Sequence, residues 1–119
     1  MTNLFILPES VFLSHSNIQH EIIEVVKEIN KSQPKVKLII IDTLARCFIG
    51  DENSSTDMNS FIKGCDKIKQ EALTSIICVH HVGKDANKGM RGSSSLLGTL
   101  DFSYSISRTP SENSCLLKT

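Results

Sequence analysis

The chain has 119 residues, enough for one small domain and too few for a second full core. With 39% hydrophobic and 22% charged residues it is not a disordered chain. Its 13 basic residues balance its 13 acidic ones, which excludes an overall basic field for nucleic acid and requires any such contact to be a local patch.

One Tyr, five Phe and no Trp predict an aliphatic core of Ile, Leu and Val. Cys47, Cys65, Cys78 and Cys115 show no C-x-x-C spacing, which predicts reduced structural thiols rather than a disulfide framework or a zinc knuckle. No apolar run approaches membrane-spanning length and no secretory leader pattern opens the chain. The expectation is a soluble, cytoplasmic protein without a membrane partner.

In chain order, Asn3–Leu7 and Val11–Leu13 read as short extended pieces, the first stopped by Pro8. Ser16 with Gln19 three residues on matches a capping box. Ile18, Ile22, Val25, Val26 and Ile29 follow at helical spacing, and Pro34 closes the segment. Leu38-Ile39-Ile40-Ile41 then runs unbroken into Asp42 and Thr43, the pattern of a strand buried on both faces. Residues 44–56 read as a polar loop. Met58, Phe61, Ile62, Cys65, Ile68 and Ala72 trace one face of a second helix, and Gly64 inside it suggests a close approach by a neighbour. Ser75–Val79 is another apolar strand and ends in His80-His81. Val82–Ser95 is rich in Gly, Ser and Lys, with Leu96 and Leu97 starting a short helix. Asp101–Ser107 alternates as a half-buried strand, and Cys115–Leu117 begins a returning one.

Strands alternating with helices predict βαβ units and an α/β domain with a largely parallel sheet flanked by helices. In such a sheet Asp42 and the His80-His81 pair emerge at the same edge, where ligands of open α/β sheets bind. A carboxylate there can hold a divalent metal or a water beside a phosphate, or it can simply order the following turn. Adjacent strand residues point to opposite faces, so His80 and His81 do not readily share one ion, and no zinc spacing supports them. In the Gly-rich loop, Lys84, Lys88 and Arg91 stand against a single carboxylate, Asp85. Its glycines let backbone amides approach an anion, and its cations suit phosphate contacts better than base stacking. The phosphate-binding pattern G-x-x-x-x-G-K-[ST] occurs nowhere, because Gly83-Lys84 is followed by Asp85.

Three ordered blocks, LIIIDTLAR, DENSSTDMNSF and VHHVGKDANKGMRGSSSLLGTLD, resemble the RecA-like ATPase core of RepA-type plasmid and phage replicative helicases. The resemblance implies a three-layer RecA-like P-loop NTPase fold, present here as one incomplete domain over residues 1–119. It implies ATP and Mg²⁺ as cofactors, with Asp42 as the Walker B carboxylate holding Mg²⁺ through water and Thr43 beside it. It makes the strand ending at His80 and His81 the sensor of the γ-phosphate. Lys84, Lys88, Arg91, Gly92, Ser93 and Ser94 become the loop that meets single-stranded DNA in the channel of a homo-hexamer. The phosphate-binding loop and the catalytic glutamate of the family are not among these residues, so the chain is expected to be the C-terminal part of such a core, without ATP hydrolysis of its own. Two other readings stand beside this one: a non-catalytic DNA-binding or assembly module, and a metal-dependent phosphoesterase using Asp42 with His80 or His81.

Overall fold

A computed structural model describes residues 4–32, 34–81, 94–108 and 115–118. Helix α1 (Ser16–Ile29) leads to strand β1 (Leu38–Asp42), the short helix α2 (Leu44–Cys47), the long helix α3 (Ser55–Ala72) and strand β2 (Ser75–Val79). Helix α4 (Ser94–Leu97) and strands β3 (Ser105–Arg108) and β4 (Cys115–Lys118) complete the order.

β1 and β2 pair in parallel, Leu38 opposite Ser75 and Asp42 opposite Val79, with α3 as the crossover. β3 and β4 pair antiparallel in a separate two-stranded sheet. The fold is therefore mixed α/β, and among the described residues the parallel sheet is one pair of strands.

Helices α1 and α3 pack on each other and on one face of that pair. The core joins Leu13, Ile23, Val26, Ile41, Leu44, Phe48, Met58, Phe61, Ile68, Ala72 and Leu96. It is not purely aliphatic. Phe48 and Phe61 meet edge to face with ring centroids 5.8 Å apart, a favourable quadrupolar arrangement. The face expected for α3 is the one buried, while α1 is rotated from expectation. Ile23 is fully buried and Val25 faces solvent, because Gln19 and not Val25 turns inward.

Gln19 also corrects the capping box. Ser16 is the first helical residue, His15 occupies the cap without a side-chain bond, and Gln19 Nε2 donates to the Leu13 carbonyl at 2.8 Å. That same carbonyl lies over Gly64 of α3, where an added Cβ would stand 1.9 Å from it. Glycine is required there by the closeness of the backbone itself. The approach that the sequence suggested at Gly64 is thus made by the turn entering α1.

Three further expectations are corrected. Leu4–Leu7 is exposed and irregular, and residues 11–13 form no strand, since neither stretch has a strand neighbour among the described residues; Leu13 N–H instead donates to the Cys47 carbonyl (3.2 Å). Residues 44–47 are a helical turn whose Leu44 is fully buried, too short to show a period in sequence. Finally, β1 is covered on one face only. Ile39, Ile41, Ile76 and Cys78 meet the helices, while Leu38, Ile40, Ile77 and Val79 stay 37–59% exposed. The described residues hold a single helical layer on this sheet, so the expected three layers reduce to two.

Candidate functional site

The parallel register brings the carboxyl ends of β1 and β2 together, with Asp42 opposite Val79 and His80 next in line. Alternation sends Ile41 and Cys78 into the helical side and leaves Asp42 and Val79 on the uncovered side. His80 is half-buried and His81 exposed, so the two rings occupy different surroundings.

The Asp42 carboxylate is exposed and makes no hydrogen bond or ion pair with any described residue. It does not cap the following turn. Thr43 is the N-cap of α2, with extended backbone (φ −120°, ψ 171°) and no side-chain cap bond, and its carbonyl accepts from Arg46 N–H at 3.0 Å. The Asp42–Thr43 peptide is cis. Of the two readings of Asp42 open in the sequence, the turn-ordering one finds no support in the bonding.

The carboxylates of the next loop are engaged. Asp57 Oδ2 accepts from Asp51 N–H (3.0 Å), and Asp51 Oδ1 accepts from Asn53 N–H (2.8 Å). Gly50 at φ 114° lets the chain fold onto Asp57, whose carboxylate would lie 2.6 Å from an added Cβ. Ser54 Oγ then accepts from Asp57 N–H at 3.3 Å and starts α3. This loop is therefore organised around its own acids.

Among the described residues no group of three or more His, Cys, Asp or Glu is placed to hold a metal ion. The phosphoesterase reading lacks the converging carboxylates it needs. A magnesium site asks less of the protein, because Mg²⁺ keeps several waters and takes one or two carboxylates plus substrate phosphates. An exposed carboxylate at a strand's carboxyl end, without a partner among the described residues, fits that demand.

Cys65 on α3 and Cys78 on β2 are free thiols, both pushed up to about 12 chiefly by burial. They are poor nucleophiles at neutral pH, which suits the structural role expected of them. Lys84, Lys88, Arg91, Gly92 and Ser93 lie outside the described residues. Ser94 is exposed at the start of α4, which is held against α3 through buried Leu96. No described helix is long and apolar enough to cross a membrane.

Residues 3–87, well over half of the chain, match the family described as AAA domain. The chain belongs to the AAA domain family. No curated protein and no solved structure matches it. Membership points to a nucleotide-dependent, ATPase-like function, and AAA ATPases in general use ATP with Mg²⁺. The AAA match includes Asp42, Thr43, His80, His81 and Lys84 but stops short of Lys88 and Arg91.

One basic feature escaped the sequence reading. Lys27, Lys31, Lys35 and Lys37 converge at the opposite, amino end of β1. The signal was present as four lysines within eleven positions, from the last turn of α1 to the residue before β1.

Proposed function

We propose that this chain supplies the metal-side carboxylate, the sensor strand and the DNA-contacting loop of a RepA-type replicative helicase ATPase. The observation that carries the proposal is Asp42 itself, exposed and without a partner among the described residues, at the shared carboxyl end of β1 and β2 and within the AAA match.

Phosphoryl transfer is mostly positioning and charge stabilisation, so each residue has a limited task. Asp42 holds a water of the metal's shell, with the Thr43 hydroxyl beside it. Bound Mg²⁺ would neutralise charge on the β- and γ-phosphate oxygens. His80 or His81 senses the γ-phosphate at the end of β2 and passes its state along the chain towards residues 84–94. Lys84, Lys88 and Arg91, with the Gly92, Ser93 and Ser94 amides and hydroxyls, contact the backbone of single-stranded DNA in a homo-hexamer. Residues 1–119 contain no G-x-x-x-x-G-K-[ST] cradle, so they do not turn over ATP unless such a loop is supplied. That same feature favours a second reading, a non-catalytic DNA-binding or assembly module.

The test is Asp42→Ala in a polypeptide or complex that supplies the phosphate-binding loop. Turnover should be lost while the melting temperature holds, and normal turnover would sink the assignment. Purified 1–119 with Mg·ATP and single-stranded DNA should match a protein-free blank. Replacing Lys84, Lys88 and Arg91 with Ala should lower the salt slope of DNA binding by about 2. An unchanged slope would leave that loop as surface.

A further inference from the structure

The amino end of β1 carries a second site, distant along the strand from Asp42. A cleft of about 330 Å³ opens between the end of α1, the link into β1 and the turn from α3 to β2. Four lysines, Lys27, Lys31, Lys35 and Lys37, line it against one carboxylate, Glu71. Glu24 and Glu28 pair with Lys27 and Lys31 from outside the lining, so the local excess rests on Lys35 and Lys37.

The lysines are set in pairs by the backbone. Lys27 lies in the last turn of α1, and Lys31 follows in the turn just past its end at Ile29. Lys35 and Lys37 flank half-buried Val36, both exposed, which is the in-and-out alternation of an extended chain with same-side residues roughly 6.6 Å apart. The link is anchored at two points. Val36 N–H donates to Asn30 Oδ1 at 2.7 Å, and the Lys37 carbonyl accepts from Ser75 N–H at 2.9 Å.

Helix-end electrostatics accounts for part of this and not the rest. Lys27 stands in the last turn of α1, where a cation complements the helix carbonyls, and it pairs with Glu24 at 2.9 Å. Lys31 pairs with Glu28. Both pairs are exposed, so they stabilise little and exchange readily for another anion. Lys35 and Lys37 belong to no helix and have no acidic partner among the described residues.

We infer that this cleft binds the phosphodiester backbone of a single-stranded nucleic acid, with Lys35 and Lys37 as its principal contacts. Lys35 and Lys37, two positions apart, with Lys27 and Lys31 lining the same cleft, spread positive charge over a length that matches a linear polyanion better than one compact phosphate. The remaining walls, Asn30, Val36, Ala72 and Leu73, hold no aromatic ring, so nothing in the lining stacks a base. Binding is through the backbone and carries no sequence preference. Leu73, 83% exposed in the left-handed region (φ 54°), ends α3 as an aliphatic lip of the cleft. Behind it Thr74 Oγ1 is buried without a hydrogen-bond partner among the described residues. The inference goes beyond the proposed function and does not depend on Asp42 or on residues 84–94.

The test measures labelled oligo(dT) binding by the full chain across a salt series. Lys35→Gln with Lys37→Gln should weaken binding roughly tenfold at low salt and lower the log–log salt slope by about 1.4, two contacts at 0.7 each. Lys35→Arg with Lys37→Arg, which keeps the charges, should bind as the parent does and separates charge loss from misfolding. The Lys84, Lys88 and Arg91 variant, run alongside, reports on the other proposed contact and leaves this one intact. Three outcomes overturn the inference: no binding by the parent at low salt, an unchanged slope in the Gln variant, or equal competition by inorganic phosphate at matched phosphate concentration.

Discussion

The two faces of the β1–β2 pair are made of the same kinds of residue and live in different surroundings. Ile39, Ile41, Ile76 and Cys78 are packed under α1 and α3, while Leu38, Ile40, Ile77 and Val79 are left to solvent. Ile40 and Ile41 are chain neighbours of identical chemistry, yet one is 59% exposed and the other 5%. What differs is only which side of the pleat the helices cover. Apolar character drives burial but does not direct it, because the hydrophobic effect has no direction of its own.

That contrast can be broken by mutation. Ile41→Ala should cost about 2–5 kcal/mol, since it empties a packed site, whereas Ile40→Ala should cost less than about 1 kcal/mol. Denaturant unfolding of both variants measures the difference. Equal costs would mean that a second body covers the open face under the conditions of the assay.

Gly64→Ala tests the helical side from behind. The added methyl meets the Leu13 carbonyl, a backbone atom tied to Gln19, so the helices must separate. A loss of about 1–3 kcal/mol is expected from the same unfolding curves. A neutral substitution would show that the turn entering α1 yields freely.

The thiols sharpen the comparison through pH. Cys65 and Cys78 face the covered side, and burial raises them from the ordinary thiol value of 9.0 to about 12. Below 9.0 they are protonated in both folded and unfolded chains and favour neither. As pH rises from 9.0 towards about 12 the unfolded chain releases these protons first, so stability should fall across that window. Serine at both positions should flatten the fall in melting temperature; an equal slope in the variant would assign it to other groups.

The smallest effect is expected at Asp42. Its carboxylate has no partner among the described residues, so Asp42→Asn should change stability by no more than about 0.5 kcal/mol. A loss of several kcal/mol would show that the carboxylate is structural and would remove the ground for reading it as a metal-side group.

Local pattern was enough for the long elements. The face of α3 from Met58 to Ala72, the strands ending at Asp42 and Val79, the short helix at Leu96 and the tight approach at Gly64 were all legible. A helix of 18 residues repeats its apolar period enough times to be read. The turn at Leu44–Cys47 repeats nothing, and so it looked like loop. At the candidate site residue types and order were legible beforehand, and the parallel register added their meeting at one end of the sheet.

Sequence by itself determined the two long helices, the two parallel strands and which residues carry charge, because propensity and period are local. Tertiary structure decided that Gln19 turns inward while Val25 turns out, that Leu4–Leu7 pairs with no described strand, and that half the apolar surface of the β1–β2 pair stays open among the described residues. It also drew four lysines spread over eleven positions into one cleft. Each of these depends on which element lies opposite, and a contact between distant segments leaves no trace in the local pattern of either.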